Sequence, residues 1–304
     1  MSFTMLPKPP FDFQKSAQMH SRFQNSLPDL YENNVYMRVL RTNKNPLLVS
    51  VSSRGTIEHP RLSVHTYPLL NNDSEIFAVK HVLRSMFEPT FDFDQFYAIA
   101  RKDLAMRNIS KKLRGLRPIH PPTIFESVII AITEQQISLY AAIAIRSRLV
   151  QRYGNMITRE GRTFYGFPTP ESLAKAKTAG LRKVSLSAAK ARYIVEFSKK
   201  IANDEFNLNG LSRMDDEQVV TELTKFRGIG EWTVKYTLVR GMGRVDSLPA
   251  DDLGIRRAVS QIYFRERNVS SEEVSNILTK KFVPYIGIAA FYLMYHLFWE
   301  QAAS

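Results

Sequence analysis

Leu223-Thr-Lys-Phe-Arg-Gly-Ile-Gly-Glu-Trp-Thr-Val-Lys-Tyr236 reads as helix, tight hairpin, helix, and Leu248-Pro-Ala-Asp-Asp252 follows it. Gly228 and Gly230 flank one apolar residue, Ile229. Glycine lets the chain turn sharply and leaves bare backbone N–H groups at the mouth of the second helix. Such a mouth attracts phosphate through hydrogen bonds and through the helix dipole. Thr233, one turn in, can add its hydroxyl to the phosphate contacts. Carbonyls at the turn, those of Phe226 and Ile229, can hold a monovalent cation. The plainer alternative is a helical corner whose glycines serve packing alone. The acid that follows favours the phosphate clamp, because a clamp beside a fixed carboxylate points to chemistry on a nucleic acid.

The bulk of the chain agrees with a polyanionic partner. Its 304 residues carry a net charge of +13, spread along the sequence, and 44% of them are hydrophobic. That is enough apolar surface for two or three packed cores, and the charge favours DNA, RNA or an anionic membrane. There is no cysteine, which excludes disulfides, thiolate zinc sites, cysteine nucleophiles and cysteine-ligated iron–sulfur clusters. The six histidines show neither a helical two-His spacing nor a His-x-Glu signature. No apolar run has a membrane-spanning length and no secretory signal opens the chain, so an intracellular protein is expected.

Along the chain the period changes once. Residues 1–30 are rich in Pro, Phe and Gln and read as an arm whose Phe3, Phe11, Phe13 and Phe23 pack on the body. Val35, Met37 and Val39 alternate, Asn43 to Pro46 turns, and Leu47–Val51 and Leu62–Thr66 add two more strands. Asn71 to Ser74 caps a helix that ends before Pro89. From Phe91 strand signals stop. Helices are expected over Phe93–Ala105, Thr123–Thr133, Leu139–Tyr153 with Gly154 at its C-terminus, from Pro168, from Ser185, over Asp215–Lys225, over Leu253–Phe264 and from Ser270. Arg114–Pro122 looks like a linker, and Thr158–Tyr165 like a loop or short hairpin. The fold class is α+β: a mixed N-terminal domain with an antiparallel sheet over residues 1–92, then an all-α domain over 93–304 with its hairpin at 216–241.

Four local constellations stand out. Adjacent side chains diverge, so Asp251 and Asp252 do not work as a facing carboxylate pair; one acts and the other supports. Asp252 also suits the N-cap of the helix from Leu253. Trp232 and Tyr236, four residues apart, share a helix face that is either core or the wall of a pocket for an extruded base. Glu134-Gln-Gln136, before Ile137, interrupts two apolar helices as an ordinary turn or as a wedge filling the gap of an extruded nucleotide. The basic residues Lys111, Lys112, Arg114, Arg117, Lys183, Lys190, Arg192, Lys235, Arg256 and Arg257 read mostly as solvated faces.

At these residues the chain resembles the helix-hairpin-helix DNA glycosylase superfamily, and within it the 3-methyladenine DNA glycosylase II branch. Gly228-Ile-Gly-Glu-Trp-Thr233, Tyr236, Leu248-Pro-Ala-Asp-Asp-Leu253, Phe167-Pro-Thr-Pro-Glu-Ser-Leu173 and Ile132-Thr-Glu-Gln-Gln-Ile-Ser138 carry the likeness in order. The resemblance implies a pocket between two helical subdomains. It puts the catalytic aspartate on Asp252 rather than Asp251, and the pocket aromatics on Trp232, Tyr236 and Tyr295. Met294 stands where a tryptophan often lines the pocket, and Met19 where an N-terminal aromatic does. The wedge falls on Gln136 in place of a leucine, shared with Ile137. Relatives that also cut the strand carry a lysine where this chain has Trp232, so the resemblance implies a monofunctional enzyme.

The expected activity is hydrolysis of the N-glycosidic bond of alkylated purines in damaged double-stranded DNA. The protein is expected to act as a monomer without a membrane, with no cofactor beyond a Na+ or K+ at the hairpin. The alternatives are a bifunctional glycosylase/lyase for oxidised purine and a non-catalytic module that senses damaged DNA.

Overall fold

The computed structural model describes residues 2–19, 26–42, 45–70, 72–88 and 91–300. Phe23, Asn43, Asn71 and Pro89, which the sequence places in the arm, a turn, a cap and a helix stop, lie outside them. Five strands form one antiparallel sheet: β1 (Ser2–Met5), β2 (Leu30–Glu32), β3 (Val35–Thr42), β4 (Asn45–Ser53) and β5 (Leu62–Tyr67), in the order β1-β5-β4-β3-β2. The period-2 segments become β3, β4 and β5 with Val39 opposite Leu48 and Val51 opposite Val64. The arm supplies two strands that alternation did not reveal. They are short, and β1 takes its place at the sheet edge by pairing with β5. The helix Asp73–Phe87, N-capped by Asn72, closes one face of the sheet through Val79, Leu83, Met86 and Phe87.

The rest is mostly helical and builds two further cores. One gathers Phe125, Ile129, Leu149, Phe197, Leu223 and Leu238 from helices between residues 124 and 241. The other joins Phe96 and Met106 to Ile255, Leu278, Phe282 and Tyr292 from the last third of the chain. Local chemistry fixes the element starts. Thr123, Ser138, Ser187, Asp215, Asp252 and Ser270 each accept a backbone N–H two or three residues on. The helix expected over Phe93–Ala105 is two, Phe93–Ala100 and Leu104–Lys112, because Asp103 caps the second. Met156–Arg159 and Arg162–Tyr165 form a two-stranded hairpin inside the helical part. Gly154 ends its helix at φ −77°, not in the left-handed region; a Cβ there would lie 2.0 Å from the Gly166 carbonyl.

Two joints tie the parts together, and the first corrects the linker reading of Arg114–Pro122. Arg117, 2% exposed, stacks on Phe11 and Phe93 at 4.7 and 4.6 Å and donates to the carbonyls of Pro10 and Lys8. Burial lowers its pKa to about 10. His120 is buried against the Arg240 carbonyl at 2.8 Å, and burial lowers its pKa to about 4. A segment of glycine, proline and basic residues is thus a buried strap. A second joint ties the sheet to the helix Ile124–Glu134: Arg38 of β3 binds Asp29 at 2.5 Å and both oxygens of Glu126.

No single described helix is long and apolar enough to cross a membrane. The apolar C-terminal stretch bends by 109° between Ser271–Phe282 and Ile286–Phe298 and packs its residues in the second helical core.

Candidate active site

The hairpin joins the helices Asp216–Thr224 and Glu231–Gly241. Phe226 anchors it by packing edge-on against Phe197 and Phe206, at 5.0 and 4.9 Å. The two glycines have different reasons to be glycine. Gly228 has φ +85°, and a Cβ there would lie 2.0 Å from the Tyr193 ring. Gly230 has an ordinary φ of −96°, and a Cβ there would meet nothing within 4 Å. It N-caps Glu231–Gly241 with no side-chain hydrogen bond, so the helix mouth keeps its N–H groups for a ligand. Thr233 does not join them. It is 1% exposed, and its hydroxyl accepts from Gln135 Nε2 at 2.8 Å. The same amide nitrogen donates to the Gly228 carbonyl at 2.9 Å.

Asp252 lies beside that helix. Its Oδ1 accepts from the N–H groups of Gly254 and Ile255 at 2.8 and 3.1 Å, and the Trp232 indole is near enough to favour its charged form. Burial raises its pKa, and these three donors pull it back. Asp251 is exposed. Trp232 and Tyr236 lie 5.5 Å apart with their planes tilted by 37°. Of the face they share, which the sequence leaves open between core and pocket, Trp232 stands at the carboxylate. Lys235 turns away and pairs with Glu231 at 2.6 Å.

The match that decides the family covers residues 129–284, which correspond to the HhH-GPD superfamily of base excision DNA repair proteins. The chain belongs to that superfamily. It is 26% identical to a DNA-3-methyladenine glycosylase of Bacillus subtilis over 93% of each chain. It is 30% identical to the E. coli DNA-3-methyladenine glycosylase 2 over 44% of this chain and 46% of that one. Among solved structures, a 3-methyladenine DNA glycosylase from Archaeoglobus fulgidus superposes with a TM-score of 0.85 at 28% identity, covering 98% of this chain and 99% of that one.

In this base excision repair protein the remaining candidates fall into three groups. Met294 reaches the pocket: a Cβ on Gly254 would meet Asp252 Oδ1 and Met294 Cε at 3.0 Å and Phe298 Cε2 at 3.4 Å. Phe298 was not among the expected residues. Met19 packs, half-buried, on the same core. Tyr295 is 4% exposed, with its hydroxyl donating to the Lys15 carbonyl at 3.1 Å, so it offers no polar group to a base. Gln136 stands at an exposed tip with φ +55°, strained for a residue with a Cβ, and Ile137 beside it is exposed. A protruding tip suits a wedge.

Sequence reasoning placed Glu134 and Gln135 in the same polar break but gave neither a role of its own. Gln135 ties the tip to the hairpin, as described. Glu134 binds Arg146 at 3.3 Å, with the Tyr236 phenol near enough to favour its charged form. Burial raises the pKa of both Glu134 and Tyr236, and the charge of Asp252 is felt at Glu134. The available signal was an acid at the C-terminal end of an apolar helix, where the dipole disfavours it. Lys190, read as a solvated face, is instead the cap of that end. Its ammonium donates to the carbonyls of Thr133 and Gln135 at 2.9 and 2.6 Å. Arg256 likewise turns inward, onto the Val269 carbonyl.

A cleft of about 730 Å³ lies at the opposite, N-terminal end of Ile124–Glu134, between β3 and the loop through Phe167 and Pro168. Asp252 does not line it. Among the described residues no cluster of His, Asp and Glu could hold a metal ion.

Proposed function

We propose that this protein is a monofunctional DNA glycosylase that releases alkylated purines, of the 3-methyladenine type, from duplex DNA. The observation that carries the reading is Asp252: a carboxylate held by two backbone N–H groups at a helix N-terminus, with Trp232 of the aromatic pair beside it. Relatives named DNA-3-methyladenine glycosylase support the alkylated substrate.

The steps follow from the residues. The mouth at Gly230 and the net positive surface hold the phosphodiester backbone without reading sequence. The tip at Gln136 and Ile137 fills the gap left by the extruded nucleotide. An N3- or N7-alkylated purine carries positive charge and stacks on Trp232 and Tyr236. It leaves as a neutral base, so it needs no strong general acid. The Asp252 carboxylate faces the positive charge that develops on the sugar and orients or deprotonates the attacking water. The products are free base and an abasic site. No lysine stands where a Schiff base would form, since Trp232 occupies that position and Lys235 is paired elsewhere.

At the hairpin, the Phe226 carbonyl accepts from the Ile229 amide at 3.1 Å and keeps a second lone pair. With the Ile229 carbonyl it suits a Na+ or K+, which would offset phosphate repulsion. The protein works as a monomer inside the cell. The deciding assay incubates wild type and Asp252→Asn with methylated duplex and measures released base. Release by wild type alone supports the reading, and equal release by both removes Asp252 from the chemistry.

A further inference from the structure

We propose that Gln135 is a positioning residue that holds the tip and the hairpin mouth at one fixed offset, so that gripping a phosphate also aims the tip at the base pair to be opened. This rests on the glycosylase reading above and concerns extrusion of the nucleotide, not cleavage of its bond. The helices Ile124–Glu134 and Glu231–Gly241 lie antiparallel and in contact, Ser127 opposing Gly241 at one end and Gln135 opposing Thr233 at the other. At the first end a Cβ on Gly241 would lie 2.4 Å from the Ser127 side chain, so the helices touch there directly. The second end carries both the tip and the mouth, and one amide joins them. Gln135 Nε2 donates to the Gly228 carbonyl at 2.9 Å and to the Thr233 hydroxyl at 2.8 Å. A carbonyl only accepts, so the nitrogen of the amide must face Gly228, and both of its hydrogens are used. The two acceptors flank the mouth: Gly228 precedes the N-cap Gly230, and Thr233 lies in the first turn after it. The helix Ala188–Ala202 braces the same two pieces with Lys190 and Tyr193, three residues apart on one face. Lys190 holds the Thr133 and Gln135 carbonyls at 2.9 and 2.6 Å, and the Tyr193 ring fills the space where a side chain on Gly228 would go.

The tip between these anchors is short. Gln135 caps the end of one helix and Ser138 the start of the next, which leaves Gln136 and Ile137, both exposed, to protrude. A wedge has to enter the base stack at a set distance from the phosphate that is gripped. A tip free to move would have to be ordered at each insertion, at a cost in conformational entropy. A tip fixed beforehand avoids that cost. Clamp and wedge thus act as one rigid unit, and Gln135 governs extrusion rather than affinity.

The test uses duplexes with 7-methylguanine opposite cytosine, with which it still pairs, or opposite an abasic-site analogue, which leaves it no partner. Single-turnover base release, duplex affinity and the fluorescence of 2-aminopurine next to the lesion, which brightens on unstacking, are measured. The proteins are wild type, Gln135→Leu, the tip truncation Gln136→Ala with Ile137→Ala, and the two combined. Gln135→Leu should slow release from the paired duplex about tenfold more than from the unpaired one, the scale of ordering one further residue at insertion. It should dim the 2-aminopurine signal while affinity, set by phosphate contacts, changes little. With the tip already truncated, Gln135→Leu should add little. Equal slowing on both duplexes, an affinity that falls as far as the rate, or an undiminished effect in the combined protein overturns the proposal. Should Gln135→Leu fold poorly, Thr233→Val removes one of the two acceptors and should shift the paired-to-unpaired ratio in the same direction by less; no shift overturns the proposal. Wild type that brightens 2-aminopurine but releases no base defeats the glycosylase reading, and dimming by Gln135→Leu would still uphold the positioning role. Base release with a ratio and a fluorescence indifferent to Gln135 defeats only the inference.

Discussion

Two helix ends meet at this pocket, each carrying a carboxylate, and they hold it in opposite ways. Asp252 sits at the N-terminus of Leu253–Tyr263, where the dipole is positive and two N–H groups point at its oxygen. Glu134 sits at the C-terminus of Ile124–Glu134, where the dipole is negative. Asp252 needs only its own helix and one indole. Glu134 needs Arg146 from the next helix and Lys190 to neutralise the carbonyls around it. A carboxylate placed with the dipole can be rigid and solitary, as suits a group facing developing charge. One placed against the dipole is stable only within a network, so what it does it does through its partners.

The largest expected effect comes from the first end. Asp252→Asn keeps an oxygen for the Gly254 and Ile255 N–H groups but removes the charge. Base release should fall by about 100-fold or more, in line with losing an electrostatic stabiliser of a transition state, with duplex binding nearly intact. Stability should not fall with it. The folded-state pKa of Asp252 is raised, so the folded protein takes up the proton more readily than the unfolded chain. The stability this contributes is present at low pH and lost as pH rises through the raised pKa. At neutral pH the buried charge is a cost that Asn relieves. A melt that shows Asp252→Asn at or above wild-type Tm, alongside lost turnover, confirms both halves.

These two ends also show what a sequence exposes. Asp252 was legible as an N-cap because that signal is local, an acid one residue before an apolar helix start; its choice over Asp251 as the acting carboxylate came from the family resemblance. Gly228 and Gly230 were legible for the same local reason, whereas the Trp232–Tyr236 face read equally as core or as pocket wall until the family resemblance chose between them. Glu134 was not, because its meaning lies in Arg146, Lys190 and Tyr236, which are distant in sequence. Lys190 and Arg117 read as solvated cations since nothing near them in the chain reveals the carbonyls they meet. Thr233 failed in the reverse sense. Its spacing suits phosphate, but Gln135 reaches it across the fold. The strands β1 and β2 were hidden because three or four residues cannot display a period.

The next effect breaks the second end. Lys190→Met leaves two backbone carbonyls without their charged donor beside an acid. Loss of such charge-assisted bonds should cost about 2 kcal/mol, read as a lower urea midpoint with an unchanged slope. The tip should loosen with it, so release of a stacked base should slow alongside. A variant as stable as wild type would mean that the dipole and Glu134 tolerate each other without Lys190.

A smaller change tests how solitary Asp252 is. Trp232→Phe keeps a ring in the pocket and deletes the indole donor. That donor is one of three that lower the pKa of Asp252 against burial, so the pKa should rise further. Base release requires the ionised form and therefore declines as pH falls through that pKa. In the variant the acid limb of the rate profile should move toward neutrality. A limb that stays in place would leave the two backbone N–H groups as the whole support of the charge.

The smallest expected effect concerns a third helix end, which neither carboxylate nor lysine caps. Glu231–Gly241 begins at Gly230 with no side-chain partner and no neighbour within 4 Å of a built Cβ. Gly230→Ala is therefore accommodated by the fold, because its φ of −96° suits any residue and the space is open. If that mouth approaches a phosphate, the added methyl group stands between them. Stability should match wild type while duplex affinity drops a few-fold, and the salt dependence of binding should become shallower by the loss of one contact. Gly228→Ala is the contrasting control. At φ +85° and against the Tyr193 ring it should lower stability instead. Affinity unchanged by Gly230→Ala would make the open mouth a packing accident and move the phosphate contact elsewhere on the basic surface.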